Sequence, residues 1–417
     1  MASKEYIGKF QPCLDFFVVV IFHQPNGNLS IQNFPAKCHL SVLRLFPYFP
    51  LEFSQLALKP SLMKKPTLLL LTIFCFHLGY SQSVELIRTK TKLFLETLTL
   101  EQLQTGMIAL EDKARTDWTN LPIGLAPRSG IQYGALSEKS KIALHQVLSS
   151  MLSSQGYLKT FAIMQVDDIL HELFEIQYSR GQINENAIKM IRGLNWDYGN
   201  YYLAIAGDPR EDDSWGLKLE GHHLSLNLTV SGNSFSMTPM FFGSDPAVVE
   251  DTQYAGLRPL SKEEDYGFWL INSLDDSQKA KATIQGQVPR DIITSPERPQ
   301  WLEEYQGIKG AELTERQQKI LHYLIEEYIG NLDHQKAEEY LGKLHTKGMD
   351  EIYFAWIGSY EPMKAHYYII HSPDFLIEYD NVGFLDNANH IHSIWREKGN
   401  DFGEDILKKH RMEHQHN

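Results

Sequence analysis

Between Tyr201 and Phe242 apolar and polar residues alternate, and one slip in that alternation limits the topologies open to the chain. Tyr201 to Ala206 reads as a strand ending at Gly207-Asp208-Pro209, and a longer one is expected from Trp215 to Val230. Within it Trp215, Leu217 and Leu219 hold odd positions, whereas Leu224, Leu226, Leu228 and Val230 hold even ones. Successive strand residues face opposite ways, so a slip of one residue moves the buried set to the other face. Gly221-His222-His223 stands at the slip and reads as a bulge or bend, a device that re-aims side chains. In that reading His222, in phase with Leu224 and Leu226, points inward and Asn227 lies on the opposite face. Ser231-Gly232-Asn233 then turns the chain into a partner strand, Ser234 to Phe242, and Asn227-Leu228-Thr229 fits a glycosylation sequon.

Helical spacing surrounds this block. Residues from Glu85 to about Ser154 read as helical, with a cap at Thr99 and a second start at Ser137. Trp118-Thr119-Asn120-Leu121-Pro122 and Arg128-Ser129-Gly130 interrupt them as loops, Gly156 is expected to close the second helix, and Leu158 to Ile176 supplies another. Ser261-Lys262-Glu263-Glu264 and Thr314-Glu315-Arg316-Gln317 have the form of capping boxes, and Asp333 to His345 reads as a further helix. Residues 284–307, with several prolines, predict a long surface loop. Strands resume at Ile352 to Ile357, His366 to His371, Phe375 to Asp380 and around His390 to Trp395, and Asp401 is a plausible N-cap for a last helix. The expected class is α+β, a largely antiparallel sheet with helices at the N-terminal side, in the middle and at the C-terminus.

The segment from Met63 changes what counts as the working chain. Met63-Lys64-Lys65-Pro66, the apolar run Thr67 to Leu78 and Gly79-Tyr80-Ser81 are the basic start, apolar core and small-residue exit of a signal peptide over residues 63–81. The run is too short for a spanning helix, so no stable membrane insertion is expected after cleavage. Residues 1–62, rich in Phe and Pro without a sustained period, read as an upstream extension from a start called too early, and residues 82–417 as a single α+β domain. Cys13, Cys38 and Cys75 all precede Gln82, leaving His, Asp, Glu and backbone as metal ligands. Seven of the 39 Lys and Arg and three of the 52 Asp and Glu also precede it, so the rest carries a balance of −17. A surface that negative repels phosphate backbones and argues against a nucleic-acid partner.

The chemistry-bearing residues concentrate late in the chain. His390 and His392 are two apart on a strand and share a face, close enough for both rings to reach one ion, with Glu378 expected on a neighbouring strand. His222 or His223 would complete or flank that set. His410 and His414 share a helix face, but Arg411 stands where a metalloprotease helix carries its glutamate, so His414 reads as solvent-facing and His410 stays a candidate. Asp380 or Asp401 would move protons and Arg396 would steady an anion. His390-Ile391-His392 with Glu397 has the outline of a first cupin motif, yet Arg396 to Asn400 reads as loop and no second motif follows. Serine elbow, phosphate loop and dinucleotide fingerprint are not found.

Several motifs together resemble a family known as a domain of unknown function, numbered 3500. They are Trp118 to Pro122 with Arg128, Trp215 with Gly221-His222-His223-Leu224, and Thr238-Pro239-Met240-Phe241-Phe242-Gly243. Gly256-Leu257-Arg258-Pro259-Leu260, Glu378-Tyr379-Asp380, His390-Ile391-His392-Ser393 and Asn400-Asp401-Phe402-Gly403 with Asp405 and His410 extend the resemblance to the C-terminus. The resemblance implies an exported protein and supplies no activity.

Function must therefore come from the site itself. The expectation is a secreted or periplasmic metal-dependent hydrolase, with zinc favoured over iron or copper and a small-molecule, glycan or peptide substrate. The alternatives are a non-haem iron oxygenase using the same residues, or a non-catalytic exported binding protein in which the histidines bind a ligand or satisfy a core network. For enzyme and binding protein alike, Trp215, Tyr367 and Tyr368 are expected to line an organic or glycan pocket. A concave, water-accessible cluster favours an enzyme, and a closed one favours a structural network.

Overall fold

The computed structural model describes residues 17–23, 29–35, 83–296, 302, 304–383 and 388–414. The chain divides into two compact units, residues 1–68 and 69–417. In the first, β1 (Phe17–His23) and β2 (Leu29–Pro35) pair antiparallel from Phe17 opposite Pro35 to His23 opposite Leu29. The signal-like segment 63–81 lies outside the described residues.

The second unit is α+β, as expected. Its sheet runs through β3 (Met107–Ile108), β4 (Ile131–Gln132), β5 (Tyr202–Ala206), β6 (Ser214–Gly221), β7 (Leu224–Ser231), β8 (Ser234–Ser236), β9 (Met240–Ser244), β10 (Ile308–Lys309), β11 (Tyr353–Gly358), β12 (His366–His371), β13 (Phe375–Asn381) and β14 (Ile391–Glu397). The spatial order is β10-β11-β12-β13-β14-β9-β7-β6-β5-β3, with β4 on β5 and β8 on β7. All these pairs are antiparallel except β3 with β5. Helices are α1 (residues 83–95), α2 (Leu100–Gly106), α3 (Glu138–Met151), α4 (Ser154–Ser179), α5 (Glu185–Arg192), α6 (Ser261–Ser273), α7 (Asp276–Ala282), α8 (Glu315–Ile329), α9 (His334–Lys347) and α10 (Glu404–His414). Among the described residues no helix is long and apolar enough to cross a membrane.

The phase slip has a different origin from a bulge. Trp215 to Val230 is two strands, with Gly221 opposite Leu224 and only His222 and His223 between them. Such a turn carries the same one-residue change of phase, because Leu217 faces Leu228 and Leu219 faces Leu226 on one side of the hairpin. All four are buried in the main core. Asn227 is buried in the sheet, where its amide donates to Ser225 and to the Pro239 carbonyl, so the sequon is not a surface site.

Several helix ends also differ from expectation. Gly156 opens α4 rather than closing α3: Ser153 caps that helix by accepting from the Gly156 N–H, and a Cβ at Gly156 would meet the Asn331 carbonyl at 2.1 Å. Thr99 and Thr314 form reciprocal capping boxes with Gln102 and Gln317, whereas Ser261 is the first residue of α6 and makes no cap bond. Its Glu263 is turned inward instead, onto Lys159 at 2.7 Å.

The two faces of the sheet are covered differently. Helices α1, α3, α4, α6, α8 and α9 pack on one face over Leu217, Leu226, Phe242, Phe354, Tyr368 and Ile377. On the other, Ile284, Val288 and Ile293 cover Ala355, Ile357, Tyr367 and Ile369, while Trp118 and Ile292 cover Phe241 and Ile394. Residues 284–296 are thus a covering strap rather than a surface loop, with Ile292, Thr294 and Ser295 buried. Trp215, Tyr367 and Tyr368 are fully buried core residues and line no organic pocket.

Candidate metal centre

At one end of the central strands five segments meet: the His222-His223 turn, the end of β9 at Asp245, the end of β13 at Asp380, the start of β14 at His390, and the strap at Asp291. The turn sets His223 at φ +60°, a left-handed conformation a non-glycine residue rarely holds without surrounding support. That support is on the backbone: Gly243 N–H donates to the His223 carbonyl at 2.7 Å, and His223 N–H reaches the Asn120 carbonyl. Gly243 faces His392 across the β9–β14 ladder, and a Cβ there would stand 2.9 Å from His223 Cδ2 and 2.8 Å from the Ile391 carbonyl. The missing side chain makes room for the His223 ring.

Three imidazoles then converge through the same kind of nitrogen. His223 Nε2 is 2.8 Å from His390 Nε2, which is 3.0 Å from His392 Nε2. Two nitrogens bound to one ion at 2.0–2.1 Å, with octahedral or tetrahedral angles, stand ~3.0–3.4 Å apart. These two spacings are close to what one shared ion requires, and the donor atoms of all three rings lie within 4.8 Å of one another. Among the described residues His223, His390 and His392 form one of three groups that could hold a metal ion; the others are Asp167 with His222 and His223, and Asp291 with Asp380 and His392.

Carboxylates stand behind the rings. Asp245 lies 3.6 Å from His390 Nδ1, Asp291 and Asp380 lie 2.9 and 3.6 Å from His392 Nδ1, and Asp167 lies 2.6 Å from His222 Nδ1. Tyr201 holds that last pair by donating to both Asp167 and the His222 carbonyl at 2.8 Å. A carboxylate on the far nitrogen fixes a histidine's orientation and raises its basicity as a ligand. Burial pushes His223 and His390 well below the usual histidine range, and neighbouring imidazoles add to the shift. Burial acts on His392 too, but Asp380 and Asp291 outweigh it and lift the ring to about 10. Burial raises Asp380 to about 6 against the pull of His392, and raises Asp245 to about 6 against His222 and His392.

The cluster is reached from solvent. A cleft of about 360 Å³ is lined by His390 and Asp245, by the apolar Leu170, Leu173, Phe174, Pro246 and Val248, and by Arg180 near its rim. The His390 and Asp245 side chains keep 13% and 23% of their surface exposed, so the ends of the cluster are wet while His223 is buried.

The family described as "Protein of unknown function (DUF3500)" matches residues 80–404. The chain belongs to this family. No curated protein and no solved structure is significantly similar to it. Membership brings no reaction with it, and the remaining expected site residues are judged on geometry.

Of those residues, His222, His223, His390, His392 and Asp380 come together, and four others do not. Glu378 is no metal ligand here: its carboxylate accepts Ile293 N–H at 2.8 Å, Thr294 N–H at 3.0 Å, and the Tyr367 and Thr294 hydroxyls. Four donors fill a carboxylate's acceptor sites. Arg396 and Asp401 pair with each other, Arg396 also binding Thr294 and Asp401 accepting from Thr238, so neither faces the cleft. Asp401 caps no helix. His410 lies beside Gly232, at the opposite end of β7 from His223 and ~30 Å along the strand. Asp167, Asp245 and Asp291 were missed. Only Asp167 left a sequence signal, a carboxylate inside the apolar stripe of Ile163, Met164 and Leu170.

Proposed function

We propose that this chain is an exported metal-dependent hydrolase, with His223, His390 and His392 as ligands to one divalent ion, zinc favoured. The reading is supported above all by His223 and His392 each meeting His390 through Nε2, beside a cleft that His390 and Asp245 line. Three imidazoles suit zinc and leave a fourth position. The His390, His392 and Glu378 set expected of non-haem iron does not assemble, because Glu378 is occupied elsewhere, and the two-histidine, one-carboxylate group that does form, Asp167 with His222 and His223, is buried throughout.

Zinc held by these three histidines would supply Lewis-acid chemistry, lowering the pKa of water toward ~7 for hydrolysis of a carbonyl or phosphoryl centre. Asp291 and Asp380 orient His392, and Asp245 orients His390. Asp245 also faces the cleft with a carboxyl raised to about 6 by burial, suited to taking and returning a proton near neutral pH. The apolar wall of α4 with Pro246 and Val248 suits a small organic or peptide-like substrate. Export rests on the sequence of residues 63–81 alone.

Protein expressed from Met63 and freed of loosely bound ions should retain metal, and His390→Ala/His392→Ala and His223→Ala variants should not. Equal metal in parent and variants, or none in the parent, sinks the ligand set. N-terminal sequencing of exported protein should begin near Gln82; a chain retaining residues 63–81 removes the export claim.

A further inference from the structure

Building on that three-histidine reading, we propose that His392 bridges two metal ions: its Nε2 serves the cleft ion, and its Nδ1 joins Asp291 and Asp380 around a second. The donor atoms of this second group lie within 4.8 Å of one another, with Asp291 at 2.9 Å and Asp380 at 3.6 Å from Nδ1. Asp380 supplies the independent observation. It is fully buried, opposite His392 in the β13–β14 ladder, and apart from His392 itself no donor reaches either carboxylate oxygen among the described residues.

A buried carboxylate with no other donor is costly, and charge balance says what offsets it. With His392 neutral and bound through Nε2, Asp291 and Asp380 together leave two negative charges behind the ring. Asn120, which donates to Asp291 at 3.3 Å, brings no charge, and Arg396 is engaged with Asp401 and Thr294. One divalent ion would cancel both carboxylate charges; taking the Nδ1 position would also displace its proton to solvent, and the negative charge of the imidazolate so formed would be shared with the cleft ion. One nitrogen and two carboxylate oxygens suit zinc, manganese or copper better than a soft ion. Asp291 is 30% exposed, which gives that ion a route in from the strap side.

The test is stoichiometry with a bridging signature. After chelation and dialysis against zinc, the parent should hold two equivalents per chain and Asp291→Asn/Asp380→Asn should hold one. With copper(II) in place of zinc, an imidazolate bridge should couple the two spins, so the parent's low-temperature EPR intensity falls well below two spins and the variant recovers one uncoupled spin. One zinc per parent chain, or two in parent and variant alike, overturns the bridge and leaves the three-histidine site standing. No zinc in the parent removes both readings. Should the double variant fail to fold, parent stoichiometry and spin coupling still decide.

Discussion

Glu378 and Asp380 are two residues apart on one strand, face the same side of the sheet and are both fully buried, yet their surroundings are opposite. Glu378 is wrapped by backbone N–H groups of the strap and by two hydroxyls, and Arg396 ties the same strap segment to Asp401. Asp380 has no donor among the described residues except His392, whose other nitrogen meets the His390 ring. A closed network serves stability, since every polar atom already has its partner. An open one, beside a cleft, is where chemistry is placed.

The largest effect expected from that contrast is on the closed side. Arg396→Ala leaves the half-buried Asp401 with Thr238 as its remaining donor and strips the buried Thr294 carbonyl of its partner, and should cost ~3 kcal/mol in denaturant unfolding while metal content of the folded fraction stays at the parent level. Metal loss at unchanged stability would reverse the roles of the two regions. On the open side the dependence should be on metal: zinc at a hundred times its dissociation constant stabilises the parent by ~2.7 kcal/mol, and His390→Ala/His392→Ala should lose nearly all of that increment. An equal zinc-induced rise in melting temperature for both proteins breaks the assignment. Gly243→Ala tests the room made for His223. Its Cβ meets two atoms below 3.0 Å, one of them backbone, so ~1–3 kcal/mol of overpacking should accompany weaker zinc uptake. A neutral result would mean that the glycine does not hold the rings apart.

Much of the open site was legible in the sequence, and what was hidden is physical in kind. His390 and His392 could be placed together because side-chain direction in a strand follows from spacing alone. The histidine turn was misread as a bulge because a two-residue hairpin and a bulge shift the apolar phase alike, and Gly221-His222-His223 lacks the Asn-Gly or Asp-Gly that marks such turns. His222 was expected as the inward ring, and both rings are in fact buried, His222 on Asp167 and His223 on His390. Glu378 could not be judged at all, since two of its four donors are main-chain N–H groups 84 and 85 residues earlier, and no residue type announces a backbone N–H. Asp380 opposite His392 needed the strand register, which alternation leaves free.

The smallest effect should appear with pH in chelated protein. His392 is lifted to about 10 in the folded state, burial working against the shift while Asp380 and Asp291 outweigh it, and an unfolded histidine titrates near ~6.5. Between those values the folded chain holds a proton that the unfolded chain has released, so this ring's contribution is complete below the lower value and lost as pH climbs through the higher one. Burial and like-charge neighbours depress His223 and His390 instead, so their contribution runs the other way and declines only as pH drops below ~6.5. Above pH ~7 the alkaline limb therefore belongs to His392 within the cluster, with a slope of at most ~1.4 kcal/mol per pH unit. Asp291→Asn/Asp380→Asn removes both charges that hold the proton and should flatten that limb, whereas Arg396→Ala should lower the whole curve and leave its slope in place. If the slope survives the aspartate pair, the proton on His392 is held by something other than the open carboxylates, and the contrast with Glu378 loses its electrostatic basis.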